Sequence, residues 1–258
     1  MKGKLYLVPA PLDFGCDEQT SITDVIPDGT LEAAARIQHW ICENAKSTRA
    51  VLKRVADRYP LICTLQEMTI TELPREAHKK GDHTAANDTT ASQAILDKAL
   101  QGFDIGLMSE AGMPAIADPG SSIVRAAHAL GLEVVPLIGP VSLLLALAAS
   151  GLNGQNFAFN GYLPQDSAAR KIRIQQLEKL AVASGQTQIF IETPYRNATL
   201  LADMIATLQP TSRLACSLGL TLPSAKTVSL LVKDWRGKKE IAAALLAGKL
   251  PAIFSFGV

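Results

Sequence analysis

Short apolar runs alternate along the first half of the chain with longer segments in which apolar residues recur at helical spacing. The short runs predict buried β-strands, and the segments between them predict amphipathic helices. The predicted strands cover residues 4–8, 40–43, 61–65, 104–108 and 132–137. The predicted helices cover residues 30–36, 47–58, 89–100 and 121–130. Ser47 is the expected N-cap of the second helix, and Gly131 follows the last. This alternation predicts a mostly parallel sheet covered by helices.

Residues 134–152 carry no charge and raise the question of a membrane span. Pro136, Gly139 and Pro140 interrupt the segment, so its helical part is limited to residues 141–150. That length is about half of what a membrane span requires. We therefore interpret residues 141–150 as a buried core helix, and the protein is expected in the cytoplasm.

The strand and helix pattern restarts after this helix. Further strands are predicted over residues 157–162, 187–192, 214–217, 227–232 and 252–256, and helices over 168–183, 194–208 and 238–246. Thr193 is the expected N-cap of the helix that begins at Pro194, because proline favours the first helical position. The fold class is therefore α/β. We expect two α/β domains, residues 1–138 and 139–258, with a ligand cleft between them.

Composition excludes several classes of protein. The formal net charge of +1 argues against a protein that holds nucleic acid mainly by bulk electrostatics. Four cysteines without a CxxC pair are too few for a disulfide scaffold and wrongly spaced for structural zinc. His78 and His83 are five residues apart, which is a poor helical metal pair, so no metal is expected. The basic residues Arg170, Lys171 and Arg173 are expected to form a solvated helix face.

Three loops at the carboxyl ends of predicted strands are candidates for ligand binding, since open α/β sheets bind ligands there. They cover residues 109–120, 139–142 and 192–196. The first contains two glycines, two prolines and two carboxylates, so its backbone can approach a ligand closely. Within it, Asp118 precedes Pro119 and Gly120 and is typical of a turn or helix cap. None of the loops is a GxGxxG or P-loop motif.

The order of these loops resembles the tetrapyrrole methylase superfamily. Ser-Glu-Ala-Gly-Met-Pro and Asp-Pro-Gly in residues 109–120 are followed by Gly-Pro-Val-Ser at 139–142, Phe-Asn-Gly-Tyr-Leu-Pro at 159–164 and Glu-Thr-Pro-Tyr-Arg at 192–196. Within the superfamily the chain looks like a divergent relative of the ribosomal RNA small subunit methyltransferase I family. The similarity covers about residues 87–208, with residues 6–11 and Glu43 and Asn44 before it.

The resemblance implies a homodimeric methyltransferase that uses S-adenosylmethionine and acts on a ribose hydroxyl of RNA. Implied donor contacts are Ser109, Glu110, Ala111, Gly112, Ile116, Val141, Ser142, Thr221 and Ala252. Candidate acceptor contacts, by position, are Lys46, Asn87, Glu192 and Arg196. No catalytic base stands out among them, and Glu192 with Arg196 fits a structural ion pair across a helix start.

The chain departs from the family pattern mainly at polar positions. The family's Glu-Asp-Thr-Arg reads Glu-Asn-Ala-Lys at residues 43–46, and its His-Glu-His-Asn reads Thr-Ala-Ala-Asn at 84–87. The donor loops are kept while residues that could face RNA have changed. Two alternatives therefore stand beside the RNA enzyme: a methyltransferase for a small molecule such as a tetrapyrrole, or a non-catalytic module that binds S-adenosylmethionine.

Overall fold

The computed structural model describes residues 1–74, 93–247 and 250–258. Its backbone contacts divide the chain into two compact units, Met1–Pro140 and Val141–Val258; the sequence analysis placed a boundary after residue 138. Each unit contains one β-sheet, and helices lie between most strands that follow one another in sequence; β8 and β9 of the second unit, residues 213–218 and 226–231, are joined without one. The predicted α/β class is confirmed.

The sheet of the first unit is parallel throughout its described strands. These strands are β1 (Lys4–Leu7), β2 (His39–Cys42), β3 (Thr69–Glu72), β4 (Ile105–Met108) and β5 (Glu133–Pro136), in the spatial order β3-β2-β4-β1-β5. The helices are α1 (Ile22–Val25), α2 (Asp28–Ala35), α3 (Ala45–Ala56), α4 (Asp97–Leu100) and α5 (Ser121–Ala129). Because the strands run in one direction, the loops that follow them all emerge at one edge of the sheet.

Alternate residues of these strands fill apolar clusters on the two faces of the sheet, because side chains alternate along a strand. Trp40 belongs to one cluster, and its neighbour Ile41 belongs to the other. Position 106 requires glycine, since a Cβ on Gly106 would lie 2.5 Å from the Trp40 ring. The Trp40 indole N–H donates to the carbonyl of Ile37 at 3.0 Å, so the ring is held in one place across β4.

The sheet of the second unit is mixed. Its strands are β6 (Phe157–Phe159), β7 (Thr187–Glu192), β8 (Arg213–Leu218), β9 (Lys226–Leu231) and β10 (Ala252–Gly257), in the order β6-β7-β10-β8-β9. Its helices are α6 (Ser142–Ser150), α7 (Ser167–Ser184), α8 (Asn197–Thr207), α9 (Val232–Gly237) and α10 (Lys239–Leu245). β6 and β7 are parallel, whereas β10 is antiparallel to both β7 and β8. The ends of β6, β7 and β8 therefore share an edge with the beginning of β10.

The uncharged helix α6 is a core helix, as the sequence predicts. Leu143, Ala146 and Leu147 are buried and pack with Ile189 of β7 and Ile253 of β10. The opposite side of the helix is also apolar but is not buried, since Leu144 is 48% exposed and Leu145 is 39% exposed, so α6 is covered on one side only. Across residues 1–74, 93–247 and 250–258, the helices are all too short or too polar to cross a bilayer.

Two predicted helix starts are wrong. Asn44, and not Ser47, is the N-cap of α3: its side-chain oxygen accepts the N–H groups of Lys46 at 2.9 Å and Ser47 at 3.4 Å. The helix predicted from Pro194 begins only at Asn197. A turn precedes it and is closed by a hydrogen bond from the N–H of residue 196 to the carbonyl of residue 193, at 3.0 Å.

The strand predicted over residues 61–65 is also wrong. These residues form turns, and the edge strand β3 follows at Thr69–Glu72. The apolar side chains of Leu61, Cys63 and Leu65 pack against the same cluster as Trp40, which accounts for the misleading pattern. The helix predicted over residues 89–100 begins outside the described residues, and its described end contains α4.

The expected solvated face of α7 is not fully solvated, because Arg170 is buried. Its Nε donates to Asp203 of α8 at 2.7 Å, and its Nη2 lies 2.5 Å from the same carboxylate. Its Nη1 donates to the carbonyls of Pro164 and Gln165 at 2.9 and 2.7 Å. Arg170 therefore joins α7, α8 and the loop before α7, while Lys171 beside it stays exposed.

We expect Asp203→Ala to lower the free energy of unfolding by roughly 3 kcal/mol, because it leaves the buried Arg170 charge without its partner. Lys171→Ala, at the exposed neighbour, should cost less than about 0.5 kcal/mol. Urea denaturation of the full chain, followed by circular dichroism, compares the two variants. Equal losses from both would contradict a buried pair.

Candidate functional site

The loop between β4 and α5, residues 109–120, has an unusual backbone. Gly112 and Gly120 have positive φ angles of 73° and 136°, and Ala115 and Ala117 adopt 65° and 66°. A residue with a Cβ in the left-handed region costs roughly 1–2 kcal/mol. Strained conformations of this kind persist where the surroundings enforce them and are concentrated at ligand sites. The loop is therefore the first candidate for binding.

Loops after two other strands pack tightly against this one. Ala10, after β1, and Gly112 exchange two backbone hydrogen bonds, of 2.9 and 3.0 Å. A Cβ on Gly112 would lie 3.1 Å from the Leu12 side chain, and one on Gly139, after β5, would overlap the Pro9 ring at 2.2 Å. The glycines thus allow three loops to meet at the carboxyl edge of the first sheet.

Three carboxylates gather at this edge. The backbone N–H of Glu110 donates to the Glu43 carboxylate at 3.3 Å. Burial, together with the negative charges of Glu43 and Glu110, raises the pKa of Asp118 to about 7. Asp118 is not the helix cap that the sequence suggested, because Gly120 is the N-cap of α5. The sequence analysis named Asp118 but did not predict its raised pKa, because its charged neighbours Glu43 and Glu110 come close to it only on folding.

A pocket of about 370 Å³ opens beside Glu110 in the first unit. It is lined by residues of the loop after β1, by the first three turns of α3 and by Glu110; besides Glu110 these include Asp13, Phe14, Asn44, Lys46 and Arg54. The volume lies in the range of small-molecule sites. Lys46 was predicted to contact the acceptor and Glu110 to contact the donor, and both residues line this one pocket.

A buried ion pair shapes the wall of this pocket. The Arg54 guanidinium donates to both oxygens of Asp13 at 3.0 Å, in a bidentate arrangement, and also to the carbonyl of Thr20 at 2.6 Å. Asp13 is buried, and Arg54 is mostly covered. Because α3 and the loop after β1 are joined by these bonds, the pocket wall is held in place without a ligand.

The predicted ion pair of the second unit is confirmed. Arg196 lies 2.8 Å from the buried carboxylate of Glu192, whose Oε1 also accepts the backbone N–H of Thr193 at 2.6 Å. The Glu192 carboxylate is thus occupied within its own turn. Asn87, the other acceptor candidate by position, lies outside the described residues.

Of the remaining predicted donor contacts, Ala252 and Thr221 lie at one edge of the second sheet, and Val141 and Ser142 lie at the start of α6. Ala252 begins β10 and is paired with Glu192 at the end of β7. Thr221 follows β8 with a positive φ of 74°. Val141, which precedes Ser142 at the start of α6, packs against the apolar cluster of that helix, as does Leu220. Their contacts with a donor remain predictions.

The described cysteines are free thiols, and burial raises the pKa of Cys16 at the pocket, which disfavours a reactive thiolate. Within the described part of the chain, no group of three or more His, Cys, Asp or Glu residues is arranged to hold a metal ion.

Comparisons with known proteins agree on one family. The model of the family "Tetrapyrrole (Corrin/Porphyrin) Methylases" matches residues 29–233. Ribosomal RNA small subunit methyltransferase I of Vibrio cholerae is 35% identical over 170 residues, which are 63% of this chain and 58% of that protein. The protein of the same name from Micromonospora olivasterospora is 35% identical over 206 residues, 80% of this chain and 56% of that protein. The matches thus span less than two thirds of these relatives.

Solved structures show the same fold at low sequence identity. The methyltransferase CobJ matches with a TM-score of 0.55 at 15% identity, over 98% of this chain and 93% of that one. The cobalt precorrin-4 methyltransferase CbiF matches with a TM-score of 0.52 at 14% identity, over 98% of this chain and 94% of that one. At this identity the likeness concerns the fold alone.

The raised pKa of Asp118 predicts a loss of stability as pH rises. Its carboxyl group ionises near pH 3.8 in the unfolded chain but only near pH 7 in the folded one. The native state therefore binds the extra proton between these values, and the free energy of unfolding falls with pH across that window. Asp118→Asn should remove this decrease and stabilise the chain above pH 7 by up to about 4 kcal/mol.

Urea denaturation of the wild type and Asp118→Asn between pH 4 and pH 8 measures the difference. Asp57→Asn, at an exposed position after α3, is the matched control and should leave the pH profile unchanged. Parallel profiles for wild type and Asp118→Asn would show that the carboxyl group titrates normally.

Proposed function

Because the chain belongs to the tetrapyrrole methylase family, we propose that it is an S-adenosylmethionine-dependent methyltransferase that modifies a ribose hydroxyl of RNA. The observation that carries the proposal is the strained loop 109–120, which lies inside the matched region and meets two other loops at the carboxyl edge of a parallel sheet. Ligands of open α/β sheets bind at such edges. The names of the similar proteins favour ribosomal RNA as the acceptor.

S-adenosylmethionine supplies a methyl group on a sulfonium; the C–S bond breaks as a C–O bond forms, and the acceptor hydroxyl loses its proton. Such an in-line displacement depends mainly on alignment and on exclusion of water. In this proposal Ser109, Glu110 and backbone groups of Ala111 and Gly112 bind the polar parts of the donor. Ile116 supplies an apolar wall.

The same proposal includes four donor contacts in the second unit: Val141, Ser142, Thr221 and Ala252. Their support is the resemblance, together with the position of Thr221 and Ala252 at one edge of the second sheet. The cleft expected between the units, a homodimer and a cytoplasmic location likewise remain predictions.

The pocket beside Glu110 supports a nucleoside as acceptor. Its volume of about 370 Å³ suits one nucleoside, whereas a four-ring macrocycle is far larger. Phe14 on its wall is 47% exposed and offers a ring on which a base can stack. Enzymes that modify a nucleotide commonly extrude it into such a pocket.

Removal of the hydroxyl proton requires a base, because an alcohol is a poor nucleophile at neutral pH. Asp118 does not line the pocket, but its carboxyl group lies close enough to Glu110, which does, to be affected by its charge. Asp118 is our candidate on this position, and its pKa of about 7 lies where a general base is effective. Lys46 lines the pocket and is suited to hold a phosphate of the acceptor. Glu192 is less suitable because its Oε1 already accepts hydrogen bonds from Arg196 and from the backbone N–H of Thr193.

A small-molecule acceptor remains the second candidate because the similar solved structures include enzymes named for corrin and porphyrin precursors. A non-catalytic donor-binding module is the third, since several polar positions of the family pattern have changed. A methyl-transfer assay separates the three candidates. Transfer to ribosomal RNA that lacks the modification supports the first, transfer to a tetrapyrrole extract supports the second, and transfer to neither supports the third.

One prediction of the proposed function concerns binding of the methyl donor. Glu110→Gln should raise the Kd for S-adenosylmethionine about tenfold or more, because it removes a charged hydrogen-bond acceptor. Calorimetric titration with S-adenosylmethionine and then S-adenosylhomocysteine measures this in the full chain. Glu133→Gln, an exposed glutamate on β5, is the control and should bind as the wild type does. An unchanged Kd for Glu110→Gln would place the donor elsewhere.

Another prediction of the proposed function concerns binding of the methyl acceptor. Phe14→Ala should lower kcat/KM for unmodified small-subunit ribosomal RNA about tenfold, because base stacking contributes roughly 1–3 kcal/mol. The Kd for S-adenosylmethionine should not change. Phe103→Ala is the matched control, since Phe103 is also 47% exposed but precedes β4 and so lies away from the site edge. Equal activities of the two variants would remove Phe14 from the acceptor site.

A further inference from the structure

Two tyrosines of the second unit, Tyr162 and Tyr195, are unusually exposed for large aromatic side chains. We call them the tyrosine pair. Tyr162 is 56% exposed and Tyr195 is 84% exposed. Tyr162 follows β6 and Tyr195 follows β7, and because β6 and β7 are parallel the two loops emerge at the same edge of the sheet.

The loop that carries Tyr162 is firmly attached to the sheet. The N–H of Asn160 donates to the carbonyl of Ile189 at 2.9 Å, and Gly161 accepts the N–H of Ile191 at 3.1 Å, so parallel pairing continues beyond β6. Gly161 has a positive φ of 66°, which glycine adopts without strain. Leu163, on the other side of Tyr162, is buried. The exposed ring therefore stands between two anchored residues.

Arg196 lies over one of the two tyrosines and is next to the other in sequence. Its guanidinium carbon lies 6.0 Å from the centre of the Tyr162 ring, and Tyr195 is its neighbour in sequence. Two of its nitrogens, Nε at 2.9 Å and Nη2 at 2.8 Å, bind the buried Glu192 carboxylate, which fixes the plane of the guanidinium. The edge thus presents two aromatic rings and a held arginine plane.

We propose that the tyrosine pair and Arg196 form a stacking surface for unpaired bases of an RNA substrate, which rests on the proposed function. Aromatic rings and arginine planes are the groups on which unpaired bases stack. The Glu192 carboxylate balances the charge of Arg196, so this surface offers flat faces more than charge. Stacking also suits a chain with a net charge of only +1, which lacks the excess of cations typical of bulk phosphate binding.

The test measures binding of a short, fluorescein-labelled, single-stranded oligoribonucleotide by fluorescence anisotropy. Tyr162→Ala and Tyr195→Ala should each raise the Kd about tenfold, since loss of one stacked base corresponds to roughly 1–3 kcal/mol. Tyr162→Phe and Tyr195→Phe keep a ring and should bind as the wild type does. Val182→Ala, which trims an exposed apolar residue of α7, is the control.

Salt dependence separates stacking from phosphate binding. The slope of log K against log salt concentration should be the same in the wild type and in both alanine variants, because no phosphate contact is removed. A slope reduced by about one would indicate a phosphate contact instead and would overturn the stacking assignment.

Three further outcomes would also overturn the proposal: a wild type that does not bind the oligonucleotide, a double alanine variant that binds it normally, or alanine variants that lose only self-association in sedimentation. The last would assign the tyrosine pair to a protein contact. Calorimetry with S-adenosylmethionine on the same samples reports on the proposed function separately. Intact donor binding with unchanged RNA affinity would therefore reject the stacking surface alone.

Discussion

The two backbone hydrogen bonds between Ala10 and Gly112 are the interaction on which the first unit's site depends. They join the loops after β1 and β4 at a point where the parallel ladder has already ended. The contact requires glycine at 112, because its φ is positive and Leu12 leaves little space for a side chain. With one end of the loop fixed in this way and α5 fixing the other, Ala115 and Ala117 are held in conformations that they would not adopt in a free chain.

The same constraint has an electrostatic consequence. Glu110 follows β4, and the loop geometry holds its backbone against the Glu43 carboxylate. Asp118 is then partly buried near both carboxylates, so its charged form is disfavoured by burial and by like charge. Glu192 in the second unit is the opposite case. Its buried carboxylate forms an ion pair with Arg196 and accepts a hydrogen bond from a backbone N–H, so its negative charge is balanced. A protein that tolerates the first arrangement gives up stability at that point, which is typical of residues kept for binding or catalysis.

Local sequence signals predicted four strands of the first sheet, because they are short apolar runs separated by helices, but they missed the edge strand β3, whose residues are mostly exposed. The five strands of the second sheet were also predicted, whereas their mixed order and direction could not be. The strand β10 comes from the end of the chain and inserts between β7 and β8, and that pairing leaves no local signal. The burial of Arg170 has the same origin, since its partner Asp203 lies on another helix. For the site, glycine and proline marked the loops correctly, whereas the coupling of Glu43, Glu110 and Asp118 arises only on folding.

Family membership establishes the fold but leaves the acceptor open, because the same fold serves proteins named for ribosomal RNA and for corrin precursors. The chemical class of the acceptor therefore has to be inferred from features that the fold does not require. A sheet edge of this architecture needs neither an exposed phenylalanine beside a nucleoside-sized pocket nor two exposed tyrosines around a held arginine. A single exposed ring is common on protein surfaces and decides nothing alone. The proposed stacking surface therefore depends on the combination of exposed rings with an arginine held in one plane, which is the kind of surface that recognises unpaired RNA and not a duplex.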